Sequence, residues 1–259
     1  MPPVLHNLID THAHYDDPAF AADRDAVLRA LPEAGIARAI SVSASMENSR
    51  GLAELVAPYP YLYYTVGVHP SELDGLSEAE MDELVALAKG EKCVAIGEIG
   101  LDYHYEPETA ELQKRWFRRQ MELARALDLP VVIHEREACG DCMEILRDFR
   151  DVRCVVHCFS GSPETAAELL RMGHSISFTG VLTFKNARRA PDVLRMLPPD
   201  RLMLETDSPY MAPEPCRGTR NDSRLLPYIA LRAAEILGEE PQALADRTTE
   251  NAKRFFGMK

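Results

Sequence analysis

Residues 93–100 read Cys-Val-Ala-Ile-Gly-Glu-Ile-Gly. A strand with one wet face alternates apolar and polar residues. This run does not alternate, so both of its faces are covered, as in a parallel sheet flanked by helices. Glu98 is the exception inside it. A lone buried carboxylate costs several kcal/mol to desolvate, and no basic residue stands in the run to offset that cost. Its partner is therefore a remote Arg or Lys, or a metal ion.

Seven further β-rich runs lie on either side: 4–10, 37–43, 61–69, 129–135, 153–159, 174–180 and 201–207. Helical patterns separate them. The clearest is 108–127, where Leu112, Trp116, Phe117, Met121, Leu123 and Ala124 trace one apolar stripe. Others are expected over 18–31, 46–56, 77–88, 139–148 and 163–172, a short or broken crossover containing Pro191 over 185–197, and a helical tail over 222–237 and 241–256. Eight strand and helix units suggest closure, and about 250 residues is the usual size of an eight-stranded parallel barrel. The fold expected is thus α/β, a (β/α)8 TIM barrel forming a single domain over 1–259. An open doubly wound sheet is the weaker alternative, because no GxGxxG loop follows the first strand.

The chain has 259 residues, 46% of them hydrophobic, which excludes a disordered tail or a disulfide-stapled miniature. Its 29 Lys and Arg stand against 41 Asp and Glu, a net charge of −12. That field disfavours non-specific polyanion binding, so any nucleic-acid contact has to be local. No signal peptide or membrane-length apolar segment is present, giving the expectation of a cytoplasmic protein with no membrane partner. The six Cys are scattered and read as reduced thiols. The single CxxC of Cys139 and Cys142 lacks the second pair a zinc site would use.

Polar residues gather where the apolar runs end, which in such a barrel is the catalytic face. His12 and His14 are two apart and share one side of an extended segment. His134 and His157 follow the apolar cores of the fifth and sixth runs. Glu205 and Asp207 end the eighth, and two like charges there need a cation or a shared proton. Together with Glu98 these groups would overfill one tetrahedral catalytic ion, so two divalent ions fit better. The mixture of imidazole and carboxylate does not distinguish Mg, Mn or Zn.

With these residues assembled, the chain resembles the TatD family of metal-dependent deoxyribonucleases, in the amidohydrolase-like barrel group. The resemblance rests on DTHAHYD at His12 and His14, GVHP at His69, GEIGLDYH at Glu98, VVIHER at His134, HCFSG at His157, ETDSPYMAP at Asp207, and NAKRFF near the end. It implies one ion held by His12, His14, Glu98 and Asp207 and a second held by Glu98, His134 and His157. It also implies a role near the site for Glu205, and for His69 a role either in holding substrate or in supporting the metal ligands. Two departures stand out. Glu135 occupies a position where the family usually has Ser or Thr, and Arg220-Asn221-Asp222-Ser223 replaces the usual Arg-Asn-Glu-Pro.

The activity expected is phosphodiester hydrolysis of DNA, as a 3'-5' exonuclease on single-stranded or short DNA, through metal-activated hydroxide. Asp207 is the expected base, with Glu205 competing and Glu98 bridging. His69, Arg136, Arg220, Asn221 and Lys185 are expected to hold substrate, helped by Arg188, Arg189 and Arg217. Phe184, Tyr103 and Tyr210 are candidates for base stacking. Two alternatives stay open: a two-metal ester or amide hydrolase such as a nucleic-acid-linked deacylase, and a non-catalytic metal-dependent nucleic-acid-binding module.

Overall fold

The computed structural model describes residues 4–258. Eight strands lie in sequence order in one parallel sheet: β1 (Leu8–Ala13), β2 (Ile36–Ser41), β3 (Leu62–Val66), β4 (Cys93–Asp102), β5 (Val131–Arg136), β6 (Cys154–Val156), β7 (Ser175–Phe178) and β8 (Leu202–Leu204). A parallel bridge between Ala13 and Ser208, with Asp207 N–H donating to His12 O at 2.8 Å, brings the last strand back to the first. The fold is a nearly closed (β/α)8 barrel.

Helices run on the outside: α1 (Arg24–Arg29), α2 (Met46–Val56), α3 (Glu78–Leu87), α4 (Ala110–Leu127), α5 (Cys139–Asp148), α6 (Pro163–Arg171), α7 (Arg189–Met196), α8 (Leu226–Leu237) and α9 (Pro241–Phe256). Their caps follow the sequence. Ser45 and Ser162 each accept a backbone N–H three residues on, Ser77 and Glu80 form a capping box, and Pro163 takes the first helical position. The expected helix over 18–31 is different. A 3-10 turn at Pro18–Phe20 is followed by the short α1, because Asp23 takes an extended φ of −145° and interrupts the helical backbone.

The core has two compartments. Leu8, Ile36, Leu62 and Ile96 face outward against the helices, where Trp116 and Phe117 of α4 join them. Ile9, Ile40, Val132, Val155 and Met203 form a separate inner cluster with Phe256 and Met258. The tail helix therefore plugs the amino end of the barrel. Asn251 fixes the plug by donating to Pro199 O and Leu202 O at 2.7 and 2.9 Å. No helix among the described residues is long and apolar enough to cross a membrane.

Candidate metal centre

At the carboxyl end of the barrel, β1 supplies His12 within the strand and His14 just beyond it. β4 supplies Glu98, β5 His134, and the segments after β6 and β8 supply His157 and Asp207. Glu98 is fully enclosed, and its two oxygens face opposite ways. Oε2 lies 3.4 and 3.8 Å from Nε2 of His12 and His14. Oε1 lies 2.9 Å from His134 Nδ1 and 2.8 Å from His157 Nε2.

Ligand atoms at about 2.0–2.1 Å from a tetrahedral ion stand about 3.3 Å from one another. On the first side His12 Nε2 and His14 Nε2 are 3.1 Å apart, and Asp207 Oδ1 is 3.8 and 3.5 Å from them. On the second, His134 Nδ1 and His157 Nε2 are 3.3 Å apart. Both sets have the spacing of donors around a cation, with nitrogen facing nitrogen where ordinary packing would put a donor against an acceptor.

The outer hydrogen bonds turn the right ring atoms inward. His14 Nδ1 donates to Val42 O at 3.0 Å, which leaves Nε2 as the lone pair of the neutral ring. His134 Nε2 donates to Asp102 Oδ2 at 3.0 Å, leaving Nδ1 toward Glu98. His157 Nδ1 lies 3.3 Å from Glu205 Oε1, leaving Nε2 inward. Charge is short in this cluster. Burial works to raise Glu98, but His157, His12 and His134 outweigh it and hold the carboxyl well below its usual range. In return, and against burial, Asp207 and Glu98 push His14 up to about 9, and Glu98 and Glu205 hold His157 well above the ordinary value. The carboxylates demand cationic charge here, and divalent ions would supply it.

Asp102 is a site residue that the sequence reading missed. It is four residues beyond Glu98 on the same strand, hence on the same side, and that spacing was a usable signal. Asp10 was also missed. It is buried below the site and accepts from Thr206 Oγ1 at 2.6 Å and Ser223 Oγ at 2.5 Å, while burial pushes it up to about 7. Ser223, one of the departures from the family pattern, thus joins the network that closes the barrel.

The other expected residues divide. His69 faces the centre, with Nε2 3.9 Å from Glu98 Oε1; its Nδ1 accepts Ser71 N–H, so Nε2 carries the proton. Burial pushes this imidazole down to about 4, so it is a neutral N–H donor. Glu205 does not face the opening. Its oxygens accept from Cys158 N at 2.7 Å and Ser177 Oγ at 2.5 Å, so it orients His157, and of the two carboxylates ending the eighth run only Asp207 lines the cavity between the ligand sets. Arg136 lines a cavity of about 600 Å³ beside the centre, stacked on Tyr105 at 4.8 Å.

Arg220 and Asn221 depart from the expectation of substrate contact. The Arg220 fork is spent on Asp23 at 2.7 Å, and Asn221 is buried, donating to Thr206 O and Tyr210 O. Lys185 is exposed but lines neither cavity at the mouth. Of the stacking candidates, Tyr210 lines both cavities, Tyr103 bonds Asp141, and Phe184 lies under Arg217. Tyr105, 68% exposed, is the aromatic the sequence reading passed over. Glu135 accepts Ala138 N–H at 2.9 Å and so shapes its own loop.

A profile of TatD-related DNases matches residues 9–257. The chain belongs to the TatD-related DNase family. A Bacillus subtilis relative, described as an uncharacterized metal-dependent hydrolase, is 37% identical to this TatD-family chain, over 96% of it and 98% of the relative. A Salmonella typhimurium relative named 3'-5' ssDNA/RNA exonuclease TatD is 32% identical over 96% and 98%. The crystal structure of the Escherichia coli TatD homologue YjjV superposes with a TM-score of 0.92 at 30% identity, covering 98% of this chain and 99% of that one. Family and clustered ligand groups together make this TatD-family protein a metal-dependent hydrolase.

Proposed function

We propose that this protein is a deoxyribonuclease that hydrolyses phosphodiester bonds from the 3' end of single-stranded or short DNA, using two divalent ions. The observation that carries this reading is Glu98, which offers one oxygen to each of two ligand sets. His12, His14, Glu98 and Asp207 would hold one ion; Glu98, His134 and His157 would hold the other. Mg, Mn and Zn all suit such donors. The Salmonella relative's name supports the choice of polarity and strand. A bound pair of such ions lowers the pKa of water and offsets charge on a phosphoryl group.

The chain's own residues then have distinct tasks. Asp207, open to the cavity, accepts the proton of the attacking water as the bond from phosphorus to the leaving ester oxygen breaks, and solvent water protonates that oxygen. His69 gives a hydrogen bond from Nε2–H to a phosphoryl oxygen as charge grows there. Arg136 is held flat by Tyr105 and meets a neighbouring phosphate with its fork. Tyr210, and the part of Tyr105 that Arg136 leaves open, present exposed aromatic surface to bases, which suits recognition without sequence preference.

The test is to strip the protein of metal, reconstitute it separately with Mg, Mn and Zn, and follow 5'- and 3'-labelled single-stranded and duplex DNA. Stepwise loss from the 3' end is expected. Ester turnover far above phosphodiester turnover, or tight DNA binding without cleavage under every ion, would reject the proposal.

A further inference from the structure

Three arginines line a cavity of about 340 Å³ at the end of the barrel opposite the metal centre. Arg153 immediately precedes β6, Arg201 immediately precedes β8, and Arg254 sits in the last turn of α9. Backbone carbonyls orient all three. Arg153 donates to Phe255 O and Asp128 O at 3.2 and 3.3 Å, Arg201 to Gly173 O at 2.6 Å, and Arg254 to Asp200 O at 3.3 Å. Asn251 Oδ1 takes a further Arg254 bond at 2.8 Å.

Carbonyls fix a guanidinium without neutralising it. Arg29, Arg50, Arg118, Arg119, Arg125, Arg147, Arg195, Arg220, Arg224, Arg232 and Arg247 each hold a carboxylate at 2.9 Å or less. Among the described residues one carboxylate, Asp200, lines this cavity; it lies 3.7 Å from Arg201 and is largely in water. Among the described residues Arg153 and Arg254 have no ion pair within 4.0 Å. In a chain of net charge −12, three arginines converging with so little compensation form a local anion trap.

We infer that this basal cavity binds a small phosphate monoester. Guanidinium forks match a phosphate's oxygens. The volume lies in the range of small-molecule sites, about 300–1,000 Å³, and the partly buried Phe255 on its wall adds apolar surface for the organic part.

The experiment titrates the full, metal-loaded chain with inorganic phosphate and with a nucleoside 5'-monophosphate, following the backbone amide signals of Gly173, Ser175 and Arg201 by NMR. Saturable shifts at these amides are expected, tighter for the monophosphate. Arg254→Gln and Arg153→Gln should each weaken them about tenfold, equal to about 1.4 kcal/mol, with shifts around His69 and Asp207 unaltered. Arg254→Lys, which keeps the charge, should fall between, and unchanged melting temperatures show that the variants are folded. Basal shifts that persist in both Gln variants, or that never occur while the metal centre responds, overturn the site. Equal affinity for the two ligands overturns the assignment to a monoester.

Discussion

Replacing Asp102 by Asn tests how the second ion's ligand is aimed. Asp102 Oδ2 accepts from His134 Nε2 at 3.0 Å, while Oδ1 accepts backbone N–H groups from His104 at 2.9 Å and Tyr105 at 3.4 Å. Although burial opposes it, the His134 bond, with help from those N–H groups, holds this carboxyl down to about 2, so at neutral pH it only accepts. In Asn the amide oxygen stays with the two backbone donors, and the NH2 group turns to His134. It would then donate to Nε2 and force the ring proton onto Nδ1, the atom that faces Glu98. Loss of such an outer partner costs about 10- to 100-fold in metal affinity, or about 1.4–2.7 kcal/mol.

The assay is a chelator competition that counts ions and ranks their release. One of the two ions should weaken by that factor while the His12 and His14 ion holds. Asp102→Ala separates tautomer control from simple loss of packing. Alanine abandons the turn at His104 and Tyr105, so it should melt lower than Asn, yet it leaves His134 free to choose its tautomer and should keep more of the second ion. An Asn variant that retains both ions at wild-type affinity, or an Ala variant that binds them worse than Asn, refutes the reasoning.

His174 predicts acid sensitivity away from the metal centre. Burial, with the Arg201 charge adding to it, pushes this imidazole from 6.5 to about 4, and among the described residues neither ring nitrogen has a hydrogen-bond partner. Below pH 6.5 the unfolded chain gains a proton that the folded one refuses. Stability therefore drops as pH falls from 6.5 to 4, by up to about 3 kcal/mol, and His174→Phe should flatten denaturant midpoints across that window. Gly100→Ala should lower melting temperature and ion content together, because a Cβ at φ +145° would sit 2.0 Å from His134 O on β5. Tyr105→Ala should raise the KM for single-stranded DNA by the worth of one stacked base, about 1–3 kcal/mol, whereas Arg220→Ala should leave KM unchanged because its fork already holds Asp23; the reverse order in steady-state kinetics would mean that Arg220 exchanges partners when DNA binds.

What the sequence made legible follows from how far each side chain reaches. The barrel could be read because continuous apolar runs leave few ways to cover both faces of a strand, and the eight strands follow in the order those runs predict. His12, His14, Glu98 and His134 could be brought together because each lies in or beside a strand and has a short side chain, so strand direction and register fix its position within a few ångströms. His157 and Asp207 lie just past β6 and β8, where backbone bonds to Ile133 and His12 carry the register forward. Asp102 obeyed the same rule and went unread only because it extends β4 beyond its apolar stretch. The arginines obey a different one. A guanidinium swings on a long flexible stem, so its partner is chosen by whatever carboxylate or carbonyl the folded chain brings near, and nothing around Arg220 in the sequence points to Asp23, 197 positions away. In a chain with an excess of acid many such choices end in a carboxylate. Arg136 escapes because an aromatic ring holds it instead, and Arg153, Arg201 and Arg254 because carbonyls do. Where this chain can receive an anion is therefore decided by which cations its own acids fail to reach, a property of the folded surface with no counterpart in residue spacing.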